Sequence, residues 1–145
     1  MSDLRRVSPE EAQRLIADDG YQYVDVRTEA EFAAGHPEGA ENIPLMLSSG
    51  GGMTPNPDFK RVVAAVHPTD AKLVVGCKAG GRSLKAANEL IAAGYTNIVD
   101  QRAGYDGARN SFGQVTEKGW RDMSLPTTTT AKAGNTYAEL KGRAS

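Results

Sequence analysis

The chain has 145 residues, enough for one domain with a real core, and its 17 basic and 18 acidic side chains nearly cancel to a net charge of −1. That balance gives no electrostatic basis for wholesale binding of nucleic acid or an anionic membrane, and no apolar run approaches membrane-spanning length. A single cysteine, Cys77, excludes an internal disulfide and a cysteine-only zinc site; with no apolar core of a secretion signal at the N-terminus, a reducing, cytoplasmic compartment is expected.

Ser8-Pro9-Glu10-Glu11 starts a helix: Ser8 caps it, Pro9 suits the first helical position, and Glu11 closes a capping box. Ala12, Leu15 and Ile16 give its apolar face, and Gly20 stops it. Tyr21 to Val26 reads as a short strand ending in the charged pair Asp25 and Arg27. Thr28 caps a short helix running to Ala34, with Glu29 and Glu31 in its first turn. Gly35 to Gly39 is a turn, and Ala40 to Pro44 a second short strand. Ser48 to Gly52 reads as a flexible surface loop inside the domain. Asn56-Pro57 opens a helix with Phe59, Val62, Val63 and Val66 on one face, closing near His67-Pro68. A strand at Leu73 leads to Cys77, a helix runs from about Ser83 to Ala93 with Gly94 as its stop, and Thr96 to Asp100 is another strand. Gly104 to Gly107 suggests a turn and a short helix. Past Trp120 the pattern fades. One domain over 1–126 is expected, then a partly ordered tail, 127–145, with a turn of helix at Tyr137 to Lys141. That tail has two available uses, covering a sheet edge or making a dimer contact.

Strands alternating with helices imply an α/β fold, a parallel sheet with helices on both faces, whose functional loops follow the carboxyl ends of the strands. Asp25/Arg27, Cys77 and Val99-Asp100-Gln101-Arg102 would then share one edge. The stretch Leu73 to Ser83 is the organising one: three apolar residues run into Cys77, then Lys78-Ala79-Gly80-Gly81-Arg82-Ser83 leads into a helix. Adjacent glycines let successive N–H groups turn toward one point, and the helix start adds unpaired donors and its positive dipole end. A thiol held there is pushed toward thiolate, and an anion sits well beside it. A lone cysteine is commonly a small buried hydrophobe; the glycine loop and the strand-to-helix position favour a nucleophile.

Lys78 and Arg82 flank the loop as candidate donor-attracting cations. Arg82 has a second role open to it, tying the loop to Asp25 through paired hydrogen bonds. Arg27 is either a clamp on an oxyanion or the partner of a glutamate such as Glu31. His36 sits in a turn and His67 at a helix end, and neither fits a catalytic base. No metal-ligand spacing or nucleotide-binding glycine motif is present, and Trp120 and the five tyrosines are too scattered for a base-stacking platform.

Asp25-Val26-Arg27, Glu31-Phe32, Gly35-His36, Gly39 to Pro44 and Cys77 to Ser83 together resemble the rhodanese (thiosulfate sulfurtransferase) homology domain. Gly94-Tyr95, Gly104-Tyr105 and Gly119-Trp120 to Leu125-Pro126 extend the resemblance over roughly residues 8–126, and Gly51 to Phe59 with Val75-Gly76-Cys77 resembles the plant-type single-domain members. One departure is the Pro37-Glu38 spacing between His36 and Gly39, where the family often has Ile-Pro. The resemblance implies the rhodanese fold with a central five-stranded parallel sheet. It also implies a sulfurtransferase that moves sulfane sulfur from thiosulfate or a similar small anionic donor through a Cys77 persulfide. In that reading Lys78, Ala79, Gly80, Gly81, Arg82, Ser83 and Arg27 form the loop and donor site, and Asp25 gives structural support. No cofactor or metal is called for. The acceptor would be cyanide or a thiol, with glutathione and a thioredoxin-like protein as candidates, and the protein a monomer or homodimer that binds neither nucleic acid nor membrane.

Three other functions compete. Phosphatases and arsenate reductases of the same fold have a loop one residue longer; here four residues, Lys78 to Gly81, separate Cys77 from Arg82, a ring better suited to sulfur than to phosphate. Non-catalytic members typically lack the cysteine that this loop retains. A peroxide-sensing thiol is disfavoured because no second cysteine is present to resolve it.

Overall fold

The structure is a computed structural model and describes residues 4–144. In chain order it comprises β1 (Arg5–Val7), α1 (Pro9–Asp19), β2 (Gln22–Asp25), α2 (Glu29–Ala34), β3 (His36–Pro37), β4 (Glu41–Asn42), β5 (Met46–Ser49), β6 (Gly52–Pro55) and α3 (Phe59–Val66). There follow β7 (Leu73–Gly76), α4 (Gly81–Ala92), β8 (Ile98–Gln101), β9 (Ala108–Arg109), β10 (Val115–Glu117), a 3-10 turn (Trp120–Met123), β11 (Thr127–Thr128) and α5 (Tyr137–Gly142). Five strands in the order β1-β8-β7-β2-β4 form one parallel sheet, as the sequence leads one to expect.

The two-residue period of the strands sorts their side chains into two cores. Val24, Leu73, Val75 and Ile98 pack with Phe59, Val62, Val63, Ala86, Ala87 and Leu90 of α3 and α4, together with Tyr137 and Leu140 of α5. Their neighbours Val7, Tyr23, Val74 and Val99 pack on the other face with Ala12 and Leu15 of α1, Phe32 of α2 and Trp120. The central strands are buried on both faces, so β7 reads as an unbroken apolar run.

The helix caps follow their sequence signals except at Glu11, whose carboxylate takes Arg5 and Arg14 instead of closing a capping box on Ser8. Ser8 accepts from the Glu11 N–H, Gly20 turns left-handed at the end of α1, and Thr28 and Glu31 form a reciprocal capping box on α2. Strand β1 has no counterpart among the sequence expectations, and other elements differ. The stretch from Ser48 to Gly52 belongs to an antiparallel hairpin, β5–β6, with Gly50-Gly51 as its turn, rather than to an unstructured loop. Turns, with no helix, occupy residues 102–106, and a second small hairpin, β9–β10, follows. Residues 127–144, expected as a partly ordered tail, lie against the domain. Thr127 and Thr128 pair with Pro37 and His36, the Asn135 carbonyl accepts the Asn42 N–H of edge strand β4 at 3.0 Å, and Leu140 is fully buried. The segment thus covers the β4 edge, one of the two uses open to it.

Candidate active site

Strand β7 ends at Gly76 and delivers Cys77 to the carboxyl edge of the sheet, between β2 and β8. Gly76 has no substitute there, because a Cβ would overlap the Tyr23 hydroxyl. The chain then turns through Lys78, Ala79 and Gly80 into α4, which begins at Gly81, two residues earlier than its sequence pattern suggests. Gly80 caps the helix at φ 103°, a left-handed conformation, with its α-carbon against the Arg102 carbonyl where a side chain would not fit. From behind, the Tyr105 and Asp106 N–H groups donate to the Cys77 and Lys78 carbonyls at 2.7 and 2.9 Å. Segment 102–106 thus fixes the back of the loop.

The Gly80 N–H donates to Cys77 Sγ at 3.1 Å, and Sγ lies 3.5 Å from the Ser83 hydroxyl, toward which the thiol donates. A ring of amides from Lys78 to Ser83 was the expectation; among the described residues Gly80 is the one whose N–H reaches the sulfur. Cys77 is only 2% exposed, while Lys78, Ala79 and Gly81 are exposed above it. The thiol therefore lies one layer beneath the surface.

The two arginines take partners other than those weighed from sequence. Arg27 binds Asp25, two residues before it: Nε lies 3.0 and 3.1 Å from the two carboxylate oxygens, Nη2 is 2.7 Å from Oδ2, and the Arg27 backbone N–H also donates to Oδ1. Its Nη2 donates as well to the Gly35 carbonyl at 2.6 Å, and the guanidinium lies 4.5 Å over the Tyr105 ring. Asn42 holds the strand end by donating from its amide to the Asp25 and Arg27 carbonyls. Arg82 does not reach Asp25. Its two terminal nitrogens form a fork on Glu31 of α2 at 2.7 and 3.0 Å. Burial works against the Glu31 charge, but the Arg82 hydrogen bonds and the Thr28 N–H hold its pKa down at about 2.

Lys78 keeps an exposed ammonium, 3.9 Å from Asp106, which also receives Arg121 at 3.0 Å. Arg27, Glu31, Gly35, Lys78, Tyr105 and Arg121 line a cleft of about 250 Å³ next to the loop. Its mouth carries Lys78 and Arg121 with the Asp106 carboxylate between them, and its wall includes the braced Arg27. Four contributors escaped the sequence reading: Glu31 as the Arg82 partner, Tyr105 under Arg27, and Asp106 and Arg121 at the mouth. The repeated Gly-Tyr signal at Gly104-Tyr105 was a clue to the third strand-end loop, but the contacts of Arg121 depend on tertiary placement alone. His36 and His67 lie elsewhere: His36 stacks on Phe32, and His67 meets Glu41 at 2.6 Å. Among the described residues no group of three His, Cys, Asp or Glu side chains is placed to hold a metal.

Residues 8–111 match the rhodanese-like domain. Senescence-associated protein DIN1 of Raphanus sativus is 42% identical over 97 residues, 67% of this chain and 53% of that protein. Thiosulfate sulfurtransferase 16, chloroplastic, of Arabidopsis thaliana is 44% identical over 86 residues, 59% of this chain and 72% of that protein. The chain thus spans 53% of the first relative's length. Among solved structures, Rv0390 from M. tuberculosis superposes with a TM-score of 0.73 at 26% identity, covering 89% of this chain and all of that one.

Proposed function

The chain belongs to the rhodanese-like domain family, and from that membership we propose that it transfers sulfane sulfur through a persulfide on Cys77. One observation carries the reading: a backbone N–H at the start of α4 aims at the sole thiol, beside a cleft that gathers Arg27, Lys78 and Arg121. In the proposed cycle a thiosulfate-like donor enters with its sulfonate toward those cations. The Cys77 thiolate attacks the outer sulfur, the donor S–S bond breaks, and its electron pair departs on sulfite. A persulfide remains on Cys77, its charge facing the Gly80 N–H and the start of α4. Cyanide or a thiol, glutathione or a thioredoxin-like protein among them, then attacks the outer sulfur and releases the Cys77 thiolate.

The chain's own residues divide the labour. Arg27 is a pre-aligned donor fixed by Asp25, Lys78 an exposed attractor, and Arg82 a brace for the loop through Glu31. Ala79, Gly80, Gly81 and Ser83 shape the cradle. Because Cys77 is 2% exposed, turnover requires the loop over 78–82 to part above the sulfur, which favours a small donor and a slender acceptor group. Intact-mass measurement after incubation with thiosulfate tests this. The expected product is the protein plus one sulfur atom, discharged by cyanide and absent in Cys77→Ser. No gain from thiosulfate or from 3-mercaptopyruvate would overturn it.

A further inference from the structure

Behind the thiol is a carboxylate that this cycle does not use. Asp100 on β8 lies opposite Val75 on one side and Arg6 on the other. By the strand alternation its side chain shares the α4 face of the sheet with Val75 and Cys77, and it is fully buried. Arg6 Nε donates to Asp100 Oδ2 at 2.7 Å from a half-exposed position. Oδ1 is sealed from water with no hydrogen-bond partner among the described residues, a costly state for a carboxylate oxygen. Burial raises the Asp100 pKa, with the neighbouring Ser83 hydroxyl and then Arg6 pulling the other way.

Ser83 is itself fully buried in the first turn of α4. Its hydroxyl oxygen is the one toward which the Cys77 thiol donates at 3.5 Å, and its own proton is directed to the Gly80 carbonyl at 3.3 Å. It lies beside Asp100 yet short of hydrogen-bond geometry with Oδ1. A turn of the hydroxyl away from Gly80 would supply the donor that Oδ1 lacks. Thiol, hydroxyl and carboxylate therefore form a file leading inward from the sulfur.

We propose that Asp100 is a positioning residue that stores the proton leaving Cys77, received through the Ser83 hydroxyl. The Cys77 S–H bond breaks with its electron pair staying on sulfur. That proton binds Ser83 Oγ while the original Ser83 proton moves to Asp100 Oδ1, so one anion replaces another and no redox partner is involved. The charged and titratable groups around the file are Arg6 from β1, Tyr23 with the Asp25–Arg27 pair from β2, and Arg82 from α4. Among them only Arg6 touches Asp100. Storage keeps the buried site at one negative charge while the sulfur is anionic. Its use in turnover rests on the sulfur-transfer reading above, but the coupling itself does not.

The experiment follows the Asp100 carboxyl by NMR in protein labelled with 13C at aspartate carboxyls, alongside thiolate absorbance, across a pH series. Through-bond correlation to the Asp100 backbone assigns the signal. The expected result is an Asp100 titration in two steps, one coincident with thiolate appearance. Cys77→Ser should merge them into one, Ser83→Ala should draw them closer together by removing the bridging hydroxyl, and Asp100→Asn should move thiolate appearance to lower pH by removing a like charge. A single Asp100 step distant from the thiolate and unmoved by Ser83→Ala would overturn the proposal. Should Asp100→Asn fail to fold, the comparison of unmutated protein with Ser83→Ala still decides. Coupled steps without sulfur uptake from thiosulfate would sink the sulfurtransferase reading and spare this one; uptake with uncoupled titration would do the reverse.

Discussion

Two arginines stand near one thiol, and the protein treats them differently. Arg27 and its partner Asp25 are nearly sealed, with side chains 5% and 2% exposed, and belong to one strand end. Arg82 and Glu31, at 18% and 24%, bridge two separate helices at the rim. The inner pair commits Arg27 through Nε and Nη2 and leaves Nη1 without a hydrogen-bond partner among the described residues. The outer pair commits both terminal nitrogens of Arg82. The inner arginine is therefore a rigid, ready donor for an anion, whereas the outer one must leave Glu31 before it can serve. In the proposed reading, position in the fold, not residue type, separates binder from brace.

Breaking the inner pair should cost most. Asp25→Ala strands a buried guanidinium, and a stability loss of about 3–5 kcal/mol is expected in denaturant unfolding; an unchanged midpoint would show that water reaches the pair. Arg27→Lys keeps a cation against Asp25 but loses the fork. Folding should survive largely intact while KM for thiosulfate rises roughly tenfold, the worth of one charge-assisted hydrogen bond. An unaltered KM would remove Arg27 from donor binding. Glu31→Gln should have the smallest effect, about 1 kcal/mol, less than its pKa shift taken alone implies, because solvent screens the rim pair and the Gln oxygen can still accept the Thr28 N–H; donor affinity should be unchanged or improved because Arg82 is released. Its signature lies in acid. With a folded pKa of about 2 against an ordinary 4.5, ionised Glu31 contributes its full stability above pH 4.5 and loses it as pH falls toward 2. The difference in stability between the two proteins should shrink over that window, and a constant difference would argue that the ion pair is not its source.

Local chemistry explains what was legible in the sequence. Ser8, Thr28 and Gly20 act on backbone groups within a few residues, so both early helices start and stop where their signals lie. Strand β7 was readable because burial on both faces leaves a continuous apolar run. Strand β1 was not: Arg5 and Arg6 are exposed, only Val7 turns inward, and the pairing partner is β8, more than ninety positions away. Hairpin β5–β6 was hidden for a related reason, since all of β6 is exposed and its turn is a run of glycine. At the site, the thiol, its glycine loop and the neighbouring cations were visible as a cluster of residue types. Their pairing was not. Glu31 reaches Arg82 only because α2 follows the same sheet edge as α4, and no spacing in the chain encodes that meeting.

The stretch from Pro126 onward has a consequence for the molecule in company. A parallel sheet ending at β4 would present unsatisfied amides to any other extended chain. By giving the Asn42 N–H the Asn135 carbonyl and seating Leu140 in the core, the last residues act as a built-in chaperone for that flank. A chain cut short at 126 would lose Tyr137 and Leu140 from one core and leave the β4 flank open to its own copies, so lost stability and self-association would be its first failures.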